Sequence, residues 1–173
     1  YALVERLLTL ARLDAGADHY RPAQVDVIDV ALSCADLIRP LARAKGLELR
    51  LNVPDPITTQ THPNKLREIL TNLLHNAVEY NKPNGSIDLS VERVNGHVRL
   101  EVPDTGIGIK PEAHGRLFER FFRADPSRHA DTPHAGLGLS IVKSYVDLMG
   151  GAIKVESSDA GTTFTVELPY VEA

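Results

Sequence analysis

Apolar and polar positions divide the chain into helical stretches and alternating stretches. Over residues 1–15, Leu3, Leu7, Leu10 and Ala11 recur at helical spacing, and Val4, Leu8 and Leu13 widen the stripe. Gly16 stops this helix, and 17–23 is a linker containing Pro22. Residues 25–27 read as a short strand. A helix follows over 28–45, apolar at Val30, Leu37, Ile38 and Leu41, and Pro40 should kink or shorten it. After Gly46, residues 47–53 alternate strictly. Pro54-Asp55-Pro56 then turns the chain into a second strand over 57–61, so the pair reads as an antiparallel hairpin.

The next helix, over 66–81, has two unlike faces. Leu66, Ile69, Leu70, Leu73, Leu74 and Ala77 form a buried stripe, while Asn72, His75, Asn76, Glu79 and Tyr80 lie together opposite it. Pro83-Asn84-Gly85 is a turn. Ile87, Leu89 and Val91 alternate with polar residues, Asn95-Gly96 signals a hairpin, and Val98, Leu100 and Val102 return. Strands with one apolar and one polar face predict a sheet covered by helices on one side. Asp104-Thr105-Gly106-Ile107-Gly108-Ile109 is a glycine turn directly after a strand. Pro111 starts a short helical piece reaching Arg123, with Phe118 and Phe121 as core anchors. Residues 124–135 form a loop without periodicity. Gly136-Leu137-Gly138-Leu139 opens a helix to Met149 that Gly150-Gly151 ends, and strands over 152–157 and 163–168 are joined at Asp159-Ala160-Gly161. The fold class is therefore α/β (α+β): a two-layer sandwich with a mixed, mostly antiparallel sheet.

At 173 residues this is one ordinary domain with room for an appendage, and a net charge of −4 gives no sign of nucleic-acid binding. One cysteine, Cys34, excludes an intrachain disulfide and a multi-cysteine metal site. The chain begins at Tyr1 and its one methionine is Met149, so it reads as a piece of something longer.

The candidate chemistry sits on one helix and two glycine turns. Asparagine is a poor helix former, so two amides one turn apart suggest use, and an amide oxygen suits Mg²⁺ that keeps its waters and phosphate partners. Asn76 is the candidate metal ligand. Asp104 can accept from an adenine amine, and Gly106, Ile107 and Gly108 let backbone lie close to the ring. Gly136, Leu137, Gly138 and Leu139 open a helix whose free N–H groups attract anions. Arg120, Arg123 and Arg128, at the start of a natural lid, can neutralise charge on a transferring phosphoryl group. No GxxxxGK[ST], HRD or DFG element is present, which excludes P-loop enzymes and eukaryotic-type protein kinases.

In this order, NLLHNAVEY, DTGIGI, FERFFR and GLGLSIV resemble the N, G1, F and G2 boxes of the catalytic ATP-binding domain of bacterial two-component sensor histidine kinases, within the gyrase/Hsp90/histidine-kinase/MutL superfamily with its Bergerat fold. The resemblance covers about 25–169. LLTLARLDAG is similar to the end of the dimerisation helix, dividing the chain into 1–20 and a catalytic domain over 21–173, and FFRADPSR resembles heavy-metal-sensing members. The resemblance implies ATP held under a lid, Mg²⁺ on Asn76, Asn72 and His75 near the phosphates as catalytic residues, and Thr162 and Tyr80 near the base. It also implies transfer to a histidine on a dimerisation domain, a response regulator as partner, a homodimer, and a cytoplasmic location within a membrane-anchored sensor.

Three positions depart from that pattern. Glu79 stands where the family has Lys or Arg on a phosphate, with Lys82 near enough to compensate. Pro133, His134 and Ala135 replace glycines before GLG, and Pro103 removes a backbone donor just before Asp104. None of the seven histidines sits in a phosphoacceptor pattern, so the chain alone cannot phosphorylate itself in the family manner. The alternatives are an ATP-binding switch without transfer and a gyrase- or MutL-like ATPase. Against the latter, Asn72 occupies the position of the Glu general base.

Overall fold

The computed structural model describes residues 2–17, 21–53, 55–124 and 136–172. Helix α1 (Ala2–Asp14) is followed by β1 (Ala23–Asp26), α2 (Val27–Ala44), β2 (Glu48–Asn52), β3 (Thr58–Thr61) and α3 (Pro63–Glu79). Then come β4 (Ser86–Val94), β5 (His97–Asp104), the single turn α4 (Pro111–His114), α5 (Gly138–Leu148), β6 (Ala152–Ser158) and β7 (Gly161–Pro169). The main sheet has five strands in the order β2-β4-β5-β7-β6, all antiparallel except the parallel pair β2–β4.

The alternation read from sequence sets the layers. Ile87, Leu89, Val91, Val98, Leu100, Val102, Phe164 and Val166 are buried towards the helices. The opposite face carries charge: Arg99 meets Glu92 and Glu167 at 3.1 and 3.0 Å, and Arg50 meets Asp88 at 3.0 Å. From the helical layer, Ala31, Ile38, Leu66, Ile69, Leu70, Leu73, Val142 and Val146 fill the core. Helices therefore cover one face, as alternation requires when the other face is wet.

The expected hairpin over 47–61 does not form. Strand β2 runs parallel to β4, with Leu49 opposite Ile87, while β3 pairs antiparallel with β1 in a separate two-stranded sheet, Thr59 opposite Val25. A parallel pair needs a long crossover, and α3 supplies it. The far edge of β3 is occupied by the C-terminal segment, where the Gln60 N–H donates to the Val171 carbonyl at 3.1 Å and the Thr59 hydroxyl donates to the same oxygen at 3.0 Å.

Other boundaries moved for local reasons. Helix α3 starts earlier than expected, with Pro63 in its first turn and the His62 ring accepting from the Lys65 N–H at 3.5 Å. Helix α2 runs through Pro40 without being shortened. Pro103 leaves its mark on the sheet. The β4–β5 register runs from Val94 opposite His97 to Ser90 opposite Glu101 and resumes at Ile87 opposite Asp104. The gap lies beside Pro103, which has no N–H to give. Phe118 packs against the core, but Phe121 does not: at φ 62 it is turned outwards and is 56% exposed. The loop over 125–135 lies outside the described residues.

Candidate functional site

The polar face of α3 forms one wall of a cavity of about 690 Å³. Thr71, Asn72, His75, Asn76, Glu79 and Tyr80 line it from α3, Gly136, Gly138 and Leu139 from the start of α5, and Asp104, Ile107, Gly108, Thr162 and Phe164 from the end of the sheet. Lys110, Leu117, Phe122 and Arg123 complete the rim, and Arg6 reaches in from α1. One helix face, two glycine turns and one sheet end thus converge as the sequence suggested.

The two amides of α3 differ. The Asn72 Nδ2 donates to the Glu68 carbonyl at 2.8 Å, and its Oδ1 faces the start of α5, where a Cβ on Gly138 would stand 2.9 Å away. Asn72 thus bonds within its own helix and packs against the start of α5 while lining the cavity. No hydrogen bond to the Asn76 amide forms among the described residues, so this amide is open to the cavity. One turn on, the Glu79 carboxylate lies 3.7 Å from the His75 ring with its side chain 8% exposed. The acidic departure at Glu79 therefore faces the cavity beside an imidazole.

Asp104 ends β5 with its Oδ1 accepting two backbone N–H groups, from Gly106 at 2.7 Å and Thr162 at 3.2 Å. Both bonds use one oxygen, leaving Oδ2 for a donor in the cavity. Burial raises its pKa above the ordinary carboxylate value, and the two N–H groups oppose that shift. Thr162 is buried, and its hydroxyl is 2.8 Å from that of Ser157.

The glycines of the DTGIGI turn serve the protein's own backbone. A Cβ on Gly106 would lie 2.4 Å from the Tyr80 carbonyl, which accepts the neighbouring Ile107 N–H at 3.0 Å. A Cβ on Gly108 would lie 2.0 Å from the Ser158 carbonyl. The absent side chains make room for α3 and for the β6–β7 hairpin. Gly108 also lines the cavity, and Gly106 does not.

Among the described residues no side chain caps the start of α5, leaving first-turn N–H groups for an anion. Leu137 is fully buried and anchors that turn in the core instead of lining the cavity. Two further expectations are corrected by geometry. Lys82 donates to the Asp159 carbonyl at 2.7 Å, tying the chain after α3 to the β6–β7 turn, and does not line the cavity. Arg120 donates to Asp14 at 2.6 Å and is likewise outside the lining, whereas Arg123 is within it. Arg128, Pro133, His134 and Ala135 lie outside the described residues.

Sequence reasoning missed Arg6, Thr71, Lys110, Phe122 and Phe164. Phe164 belongs to the ordinary core-side alternation of β7 and gave no signal, while Thr71 flanks the polar face of α3 and donates its hydroxyl to the Cys34 Sγ at 3.7 Å. Lys110 directly continues the glycine turn, a cue that was available. It also missed Asn81, a buried amide whose Nδ2 donates to the Ala77 and Ser86 carbonyls, each at 3.1 Å. The Asn81 Oδ1 accepts from the Lys82 N–H at 2.9 Å and the Thr105 hydroxyl at 3.1 Å. It fastens the end of α3 to the glycine turn.

Residues 61–172 match the family described as "Histidine kinase-, DNA gyrase B-, and HSP90-like ATPase". The chain belongs to this family. Its similar members include the signal transduction histidine-protein kinase BaeS of Escherichia coli K12, 34% identical over 168 residues, covering 96% of this chain and 36% of BaeS. The sensor histidine kinase CusS of the same strain is 35% identical over 167 residues, covering 96% of this chain and 35% of CusS. The chain thus spans about a third of the length of these relatives. A crystal structure of full-length ShkA in complex with AMPPNP superposes with a TM-score of 0.89 at 35% identity, covering 99% of this chain and 36% of that one. The mycobacterial sensor histidine kinase MprB gives 0.75 at 29% identity, covering 88% and 100%. Within the family, the chain corresponds to the ATP-binding catalytic domain of sensor histidine kinases.

Proposed function

We propose that this domain binds ATP with Mg²⁺ and passes the γ-phosphoryl group to a histidine on a helical dimerisation domain of the same protein. In that transfer the bond from the γ-phosphorus to the β,γ-bridging oxygen breaks, a phosphorus–nitrogen bond forms, and ADP leaves. The observation that carries the reading is the open Asn76 amide, facing one cavity together with Asp104 and the uncapped start of α5.

The residues present fit the groups they would hold. Asp104 Oδ2 accepts the adenine amine. The first turn of α5 donates N–H groups to phosphate oxygens, while Arg123 and Lys110 offset their charge. Among the described residues no three His, Cys, Asp or Glu side chains converge on a metal position. A cation at Asn76 would therefore share one amide oxygen with phosphate and water oxygens, the ligand set Mg²⁺ prefers. Bound there, Mg²⁺ would neutralise phosphate charge and orient the γ-phosphoryl group.

Asn72 supports transfer over hydrolysis. An amide held between Glu68 and Gly138 cannot take a proton from water, so the site lacks a general base at that position. As part of a two-component sensor, the full-length protein would act as a homodimer with a response regulator downstream. No described helix is long and apolar enough to cross a membrane, and we place the domain in the cytoplasm of an anchored sensor.

The test is to mix the chain with its separately expressed dimerisation domain, ATP and Mg²⁺, and assay acid-labile phosphohistidine. Transfer to the histidine supports the reading. ATP binding without phosphohistidine favours an ATP-gated switch, which the acidic Glu79 in the cavity would suit.

A further inference from the structure

The phosphates of a nucleotide in this cavity meet no lysine or arginine from α3. Its lining residues there are Thr71, Asn72, His75, Asn76, Glu79 and Tyr80, and one of them is acidic. The compensating cations come from elsewhere, and one of them comes from outside the sheet-and-helix body. Arg6 on α1 lines the cavity, with its Nη1 3.9 Å from the position a Cβ on Gly138 would take. We infer that Arg6 is a phosphate-binding residue of this site, so that α1, docked on the domain, completes the nucleotide site. This rests on the nucleotide-binding reading above.

Three observations place Arg6 there by construction. Leu10, one helical turn after Arg6 and on the same face, is 1% exposed in the core, and Leu13 packs against that core. Asp14, a further turn on, receives Arg120 at 2.6 and 2.7 Å. The docked face of α1 thus has an apolar anchor and an ionic one, and Arg6 extends from it into the cavity.

Electrostatics gives the guanidinium a purpose. Arg6 pairs with no carboxylate among the described residues. It stands beside the uncapped N-terminal turn of α5, the positive end of that helix dipole. Two positive groups facing the same space repel each other unless an anion lies between them. A polyphosphate satisfies both, and the guanidinium fork suits phosphate oxygens. Binding of nucleotide and docking of α1 are then linked: each favours the other by the same factor.

The experiment compares ATP, ADP and adenosine binding to the 173-residue chain, in Mg²⁺, for the wild type, Arg6→Gln, Arg6→Lys and Arg12→Gln. Arg12 lies on the exposed side of the same helix and controls for the loss of one α1 charge. Arg6→Gln should weaken ATP by about tenfold, the scale of a charge-assisted contact, and leave adenosine unchanged. Arg6→Lys should recover part of the loss, and Arg12→Gln should bind as the wild type does. If ATP affinity in Arg6→Gln stays within about twofold of a wild type that binds it, this inference is wrong and the nucleotide reading stands. If ATP and adenosine weaken equally, Arg6 supports the fold and does not touch phosphate, which also overturns it. A wild type that binds no adenine nucleotide overturns the nucleotide reading itself.

Discussion

The Thr105 hydroxyl donates to the Asn81 Oδ1 at 3.1 Å and accepts from the Ser86 N–H at 2.8 Å. One threonine thereby joins the end of α3, the start of β4 and the glycine turn that carries Asp104. Asn81→Ala would strip partners from two carbonyls and one N–H in a largely buried place. A loss of about 2–3 kcal/mol is expected in urea denaturation, with Thr105→Val costing about half that. Both variants should also weaken adenine nucleotides, because the turn that aims Asp104 loosens.

Asp104→Asn separates stability from binding. The folded carboxyl holds its proton to a higher pH than the unfolded one, because burial outweighs its two N–H bonds. Its contribution to stability is full below the unfolded carboxylate pKa and is lost as pH rises through the raised folded value. At pH 7 the ionised group is therefore a cost. The amide keeps an oxygen for Gly106 and Thr162, so Asp104→Asn should melt at or above the wild-type temperature at pH 7. That advantage should vanish below about pH 4. Adenine nucleotides should bind the variant at least tenfold more weakly, since an amide N–H₂ then faces the adenine amine. Thermal melts across pH, paired with calorimetric titration, check both halves.

Glycine positions with alike φ values should respond differently. Gly108 (φ 73) has the Ser158 carbonyl 2.0 Å from its missing Cβ, while Gly96 (φ 76) has nothing within 4 Å. Gly96→Ala carries the left-handed strain alone, about 1–2 kcal/mol. Gly108→Ala adds a backbone clash that must displace the β6–β7 hairpin, so it should cost at least about 2 kcal/mol more. Equal losses in denaturant would show that the turn does not pack on the hairpin as described.

Phe121 offers a stabilising change. It is a bulky aromatic at φ 62 with more than half its surface exposed, 56%. Phe121→Gly keeps the turn, whose N–H donates to the Gly136 carbonyl at 3.0 Å, and removes the strain. A gain of about 1 kcal/mol in stability is expected from the midpoint of a denaturant titration.

The legible parts of the sequence were those governed by period. Ile87, Leu89, Val91, Val98, Leu100 and Val102 alternate and are all buried, and the α3 stripe from Leu66 to Ala77 is the helical core. Asn76, Asp104 and Gly138 reached one cavity because each lies at the end or on the face of such a periodic element. Pairing was not legible. The pattern over 47–61 shows which residues of β2 and β3 face inwards, but not that they belong to different sheets, because partner choice depends on the α3 crossover and on the C-terminal segment beside β3. Phe121 was misread because a left-handed backbone reverses the side chain locally. Lys82 and Arg120 were misread because charge near a site in sequence does not fix its direction. Lys82 reaches Asp159 and Arg120 reaches Asp14, both far along the chain.

The central claim is that Asn76, and not Asn72, supplies the metal-binding amide. It is tested by titrating ATP into the wild type, Asn76→Ala and Asn72→Ala, each with excess Mg²⁺ and again with EDTA. The account predicts that Asn76→Ala in Mg²⁺ falls to the affinity the wild type shows in EDTA, while Asn72→Ala keeps most of its Mg²⁺ dependence. Mg²⁺-dependent ATP binding of Asn76→Ala equal to that of the wild type would contradict it.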